Sequence, residues 1–179
     1  MKERLLKAAN ILLMLLTVVL LGTIQSSFWF QVFGYIPAPA LWVPALIFVA
    51  IFRSGIEAIL LSTLFSFGLS TMTAMPPGLL VTSIFLVTVC ARVFRKRIYW
   101  PTSSYTMIVC GFGALFFHIF YLILSLIVET TKLSSPEIVD WIAEGLLTSL
   151  FAPTLFVLFH WIDRLTGQDE PSSAGTEFI

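Results

Sequence analysis

Apolar runs broken by short polar stretches divide the chain into six segments. A membrane span needs about 20 mostly apolar residues, and the first run of that kind covers residues 6–26. The second, 38–52, is short and stops at Arg53. The third covers 55–73 and ends in the turn "TAMPPG", because Pro-Pro-Gly cannot continue a helix. The fourth covers 78–92, the fifth 104–128 and the sixth 138–161. None shows the in-and-out alternation over about ten residues that a barrel strand needs. The pattern therefore predicts an all-α integral membrane protein, a six-helix transmembrane bundle. The second and third segments leave two paths open: full crossings, or a re-entrant hairpin. An uncharged aromatic connection, "FWFQVFGYIPAPA", follows the first segment, and a polar loop, "ETTKLSSPE", precedes the last. Residues 1–164 read as a single transmembrane helical domain and 165–179 as a short disordered cytoplasmic tail.

Composition supports this class. The 179 residues are 58% hydrophobic and 11% charged, with a mean hydropathy of +0.97. Soluble domains carry about 25% charged residues, so this chain cannot clothe a water-soluble surface. The start resembles a signal peptide, but its apolar body, Ala8 to Ile24, is 17 residues. That is longer than a usual signal core, and the small-x-small run that follows, "PAPA" at 37–40, comes late and is full of proline. It is expected to remain as the first span.

Charge sets the topology. Placing the N-terminus in the cytoplasm puts Lys2, Arg4, Lys7, Arg53, Arg92, Arg95, Lys96, Arg97 and Arg164 inside and only Lys132 outside. This is a clean positive-inside split, with both termini cytoplasmic. Arg92, Arg95, Lys96 and Arg97 are the topology anchor between the fourth and fifth segments, with Tyr99, Trp100 and Tyr105 as interfacial aromatics. Their extra role is attraction to anionic lipid or contact with a cytoplasmic protein. With zero formal net charge, nucleic acid is not an expected partner.

Few residues suggest chemistry. Cys90 and Cys110 lack the spacing of a disulfide framework or zinc site. No Gly-x-Ser-x-Gly, His-Glu-x-x-His, P-loop or GxGxxG occurs. No catalytic residue, cofactor or metal is therefore expected. His118 and Glu144 form a possible intramembrane polar site, since ionisable groups inside spans are expensive. Glu57 and His160 read as interfacial, and the spacing of Arg53 and Glu57 allows a helical pair. Ala58, Ser62, Ser66 and Ser70 recur every fourth residue on one helical face. Such small-residue faces let helices approach closely in lipid. They pack either within the chain's own bundle or against a partner helix. Gly145, Ser149 and Ala152 make a looser version. Ser134, Pro136 and Glu137 match a helix-start capping box.

The order of several short elements resembles the MreD family, the small membrane component of the bacterial rod-shape machinery. Gln25-Ser26-Ser27 resembles its Gln-x-Ser. Pro39-Ala40-Leu41 resembles its Pro-Asp-Leu, and Arg53-Ser54-Gly55 its Arg-Gly connection. Phe67-Gly68-Leu69 with Pro77-Gly78-Leu79 resembles its Gly-Leu then Pro-Leu-Gly. "ARVFRKR" and "LFAPTLFVLFHWIDRL" resemble the ends of its fourth and last spans. The likeness covers roughly residues 20–166. The family often has an acid where Ala40 stands and another where Ser70 and Thr71 stand, and this chain has neither.

The resemblance implies a non-enzymatic scaffold of the bacterial inner membrane that supports peptidoglycan synthesis and cell shape. Its partners would be MreC, the RodA glycosyltransferase with its partner transpeptidase, and indirectly MreB. Of the residues above, the Ala58–Ser70 stripe is the expected partner-contact face. The alternative is a substrate-binding membrane subunit of a small-molecule importer, similar to the S components of energy-coupling-factor transporters. These are also helical and of this size, so fold alone does not separate the two.

Overall fold

The computed structural model describes residues 2–97, 102–128 and 138–167. Their regular elements are all helices, with no strand among the described residues: α1 (Lys2–Thr23), a π-helical turn (Ile24–Phe28), α2 (Trp29–Phe33), α3 (Val43–Phe52), α4 (Gly55–Ser70), α5 (Pro77–Arg97), α6 (Ser103–Val128) and α7 (Ile138–Leu165). Four stretches are long and apolar enough to cross a membrane: Leu5–Phe33, Pro77–Arg95, Ser103–Val128 and Ile138–Leu165. The capping box at 134–137, Lys132, and residues 168–179 lie outside the described residues.

The first helix runs further than the sequence pattern suggested. It passes through Ile24–Phe28 without interruption and takes in half of the expected aromatic connection as α2. Gly34, at φ 61°, ends it, and its N–H donates to Phe30 O at 3.2 Å. Only glycine adopts that left-handed backbone without a steric penalty. The Trp29 ring N–H then donates to Ile36 O at 3.1 Å, folding the connection back over the bundle.

The centre of the fold is α3. Its sequence, "VPALIFVAIF", is apolar on every face, and such a helix needs burial all round. Every residue from Val43 to Ile51 is buried, against α4, α5, α6 and α7. The helix begins at Val43 rather than near residue 38, with Pro44 in its first turn. At ten residues it is about 15 Å long, and the sixteen-residue α4 about 24 Å. Phe48 lies in the densest region. Its ring centroid is 4.8 Å from Phe52, 5.5 Å from both Phe156 and Phe159, and 5.0 Å from His160.

Two glycine contacts set helix spacing. A methyl group on Gly111 of α6 would stand 3.2 Å from Gly145 O, and one on Gly145 of α7 would stand 3.2 Å from Gly111 O. The backbones of α6 and α7 therefore touch there, as small-residue interfaces allow. Ser149 adds a hydrogen bond from its hydroxyl to Met107 O at 2.6 Å. On the other side of the bundle, Gly22 of α1 faces Leu69, and Gly68 of α4 faces Val19. Pro153 lies within α7 without ending it.

The small-residue stripe on α4 packs inward. Ala58, Ser62 and Ser66 are buried inside the chain, and Ser70 is half-buried. The face that α4 leaves open carries Ile56, Leu60, Leu64 and Phe67. In this fold Ala58, Ser62 and Ser66 support the chain's own bundle. The serines do not need partner hydroxyls either, because Ser62 donates to Ile59 O at 2.9 Å and Ser66 to Ser62 O at 2.7 Å.

Candidate functional site

Polar side chains gather at the two ends of the bundle. One cluster joins the start of α1, the α3–α4 joint and the end of α7. Arg53 stands in extended backbone between α3 and α4. Its guanidinium pairs with Asp163 and donates to Asn10 Oδ1 at 2.8 Å. The Asn10 amide donates to Asp163 Oδ1 at 2.8 Å and to Thr166 Oγ1 at 2.7 Å. The Arg53 and Asp163 side chains are 11% and 7% exposed, so the pair is largely removed from solvent. Groups removed from water in this way need one another's hydrogen bonds.

Arg92 of α5 completes this end. Its guanidinium donates to Arg53 O at 3.0 Å and to Ala50 O at 3.4 Å. These carbonyls lie at the C-terminal end of α3, where a cation is favoured. Gly55 leaves room for this, since a methyl group there would stand 3.4 Å from Arg92 Nη2. Of the anchor residues, Arg92 thus turns inward as a structural cap. Arg95 is half-buried, and Lys96 and Arg97 close α5.

The expected Arg53–Glu57 pair is not formed. Arg53 turns to Asp163 instead, and Glu57 lies 3.9 Å from Lys7 in an exposed pair. The reason is geometric. The chain leaves Arg53 extended, so Arg53 and Glu57 do not share a helix, and α4 starts beyond its N-cap, Ser54. Thr166 is also part of this fold, although the sequence pattern placed it in the tail. His160 packs edge-on to Phe48 and Phe52.

The second polar group lies toward the opposite ends of α1, α4 and α7. His118 Nε2 is 2.8 Å from Glu144 Oε2. The His118 ring also stacks on Trp141, with centroids 5.2 Å apart and planes 6° from parallel. The two residues singled out from the sequence as a polar site are therefore partners, joined across the α6–α7 pair. One turn further along α7, the Thr148 hydroxyl donates to Glu144 O at 2.7 Å and accepts from Ala40 N–H at 2.8 Å. This ties the entry of α3 to α7.

Beside this pair lies a cavity of about 380 Å³. The π turn contributes Gln25 and Ser26, and the aromatic connection Phe30 and Tyr35. Trp42, Thr73 and the acids Asp140 and Glu144 complete most of its wall. On two of these residues, Gln25 Oε1 and Thr73 Oγ1 are buried away from the cavity surface and have no hydrogen-bond partner. Sequence reasoning found His118 and Glu144 from their charge in an apolar setting. It missed Asn10 and Asp163, whose significance depends on contacts distant in sequence. No group of three or more His, Cys, Asp or Glu among the described residues can hold a metal ion.

Glu144 and Asp163 are about 28 Å apart along α7, close to the thickness of a bilayer's hydrocarbon core, about 30 Å. No family model matches the chain, and no curated protein or solved structure matches it either.

Proposed function

We propose that the chain is a non-enzymatic scaffold subunit of the bacterial rod-shape machinery, as the likeness to the MreD family implies. The supporting observation is the Arg53–Asp163 pair. Two of the elements that carry the likeness, Arg53-Ser54-Gly55 and the exit run containing His160 to Leu165, are distant in sequence and joined by this contact. Other elements of the likeness also fall at structural joints. Gln25 and Ser26 line the cavity, Ala40 is tied to Thr148, and Gly68 meets α1.

In this reading the Arg53 end faces the cytoplasm, in keeping with the positive-inside count, and the cavity faces outward. All six segments belong to one membrane bundle with both termini inside. MreC and the RodA–transpeptidase pair bind laterally, on faces other than the buried stripe. The exposed side of α4, with Ile56, Leu60, Leu64 and Phe67, is one such face. Depletion of the chain from its own rod-shaped cells tests this. Rounding with disordered wall synthesis is expected, and unchanged shape and wall synthesis would remove the proposal.

The importer alternative draws on one observation, the cavity of about 380 Å³. It requires association with ATPase subunits.

A further inference from the structure

A second cavity, a groove of about 330 Å³, runs between α1 and α4. One end is polar, with Lys7 and Asn10 from α1, Arg53 from the α3–α4 joint and Glu57 from the first turn of α4. The wall beyond it is apolar and follows α4 through Leu60, Leu64 and Phe67. From Glu57 to Phe67 the helix advances about 15 Å. Those three apolar side chains belong to residues that are 60%, 43% and 57% exposed, so the trough opens away from the bundle, toward the lipid around a membrane-embedded chain. The polar end has donors to spare. Arg53 meets both Asn10 and Asp163 through Nη2, and its Nε and Nη1 have no partner among the described residues. Lys7 makes only the long, exposed contact with Glu57. Among the described residues this end of the bundle carries Lys7, Arg53, Arg92, Arg95 and Arg164 against Glu57 and Asp163, so its field favours an anion.

We infer that the groove holds an anionic phospholipid, with its phosphate at Lys7 and Arg53 and one acyl chain along Leu60, Leu64 and Phe67. Lysine and arginine bind phosphate through charge-assisted hydrogen bonds. The apolar trough leads directly from that charged end, as the two parts of such a lipid require. The site is separate from the basic run that closes α5. The groove shares its apolar wall with the α4 face proposed for partners. It is tested on the chain alone, so failure here and failure of the scaffold reading are distinguishable.

The full chain is purified in a neutral detergent and placed in mixed micelles with phosphatidylglycerol or with phosphatidylcholine of the same acyl chains. Retained lipid is counted by native mass spectrometry. Phosphatidylglycerol should be retained about fivefold over phosphatidylcholine, which corresponds to about 1 kcal/mol, the attraction of one basic side chain near an anionic surface. Lys7→Gln should remove most of that ratio, and Glu57→Gln should raise it. Both positions are exposed, so neither variant endangers the fold. Arg95→Gln removes a charge that does not line the groove and should leave the ratio in place. Leu64→Trp, which fills the trough, should reduce retention of both lipids. Equal retention of the two lipids, or a ratio that falls with Arg95→Gln and not with Lys7→Gln, would overturn the inference. Displacement of phosphatidylglycerol by inorganic phosphate would overturn it too, because the polar end would then belong to a soluble anion.

Discussion

Replacing Asp163 by alanine should weaken the fold more than any other single charge deletion among the described residues. Asp163 Oδ1 accepts from both Arg53 and Asn10. Its removal leaves a guanidinium with an 11% exposed side chain and only Asn10 Oδ1 as a side-chain acceptor. Breaking a buried pair from one side costs about 3–5 kcal/mol, a large share of a typical total of about 5–15 kcal/mol. The exposed Lys7–Glu57 pair, at 3.9 Å with side chains 60% and 48% exposed, sets the contrast. Exposed pairs contribute about 0–1 kcal/mol, so Lys7→Ala should be close to neutral. The double variant Arg53→Met with Asp163→Leu should recover much of the Asp163→Ala loss, because it leaves no charge unpaired. The assay is reversible denaturation by sodium dodecyl sulfate in mixed micelles, followed by tryptophan fluorescence. Asp163→Ala within about 0.5 kcal/mol of the native chain, or a double variant as unstable as the single one, would refute the reasoning.

The other expectations rest on packing. Gly145→Leu should separate α6 from α7 and cost about 1–3 kcal/mol as an overpacked core, read in the same assay. Ser66→Leu, at a position with no exposure, should destabilise the chain by a similar amount, and a stable variant that loses only partner binding would restore the stripe as a contact face. Cys90 should react with maleimide well before Cys110, which is buried completely, and equal labelling in the folded chain would contradict the α6 packing.

Long apolar runs made most of the helices legible. The boundaries of α6 and α7 lie within a few residues of the apolar runs, because proline precedes both, whereas α5 continues through the basic run to Arg97. The π turn was not legible, since "IQSSFWFQVF" is as compatible with a connection as with a helix that continues. Arg53 was visible as a costly charge, but its partner is 110 residues away, and local spacing favoured Glu57. Asn10 was hidden inside an apolar run. The stripe on α4 showed which residues share a face, but its small residues fit an internal interface as well as an external one. Only the packing of α4 against α1, α3 and α5 decides its direction. His118 and Glu144 were legible as exceptions in apolar helices, whereas the cavity beside them depends on five separate parts of the chain.

The most direct measurement is a gentle-detergent pull-down of the tagged chain from its own membranes, with co-purifying proteins identified by mass spectrometry. The account predicts recovery of MreC together with RodA and its partner transpeptidase. Recovery of ATPase subunits in their place would contradict the scaffold reading and favour the importer.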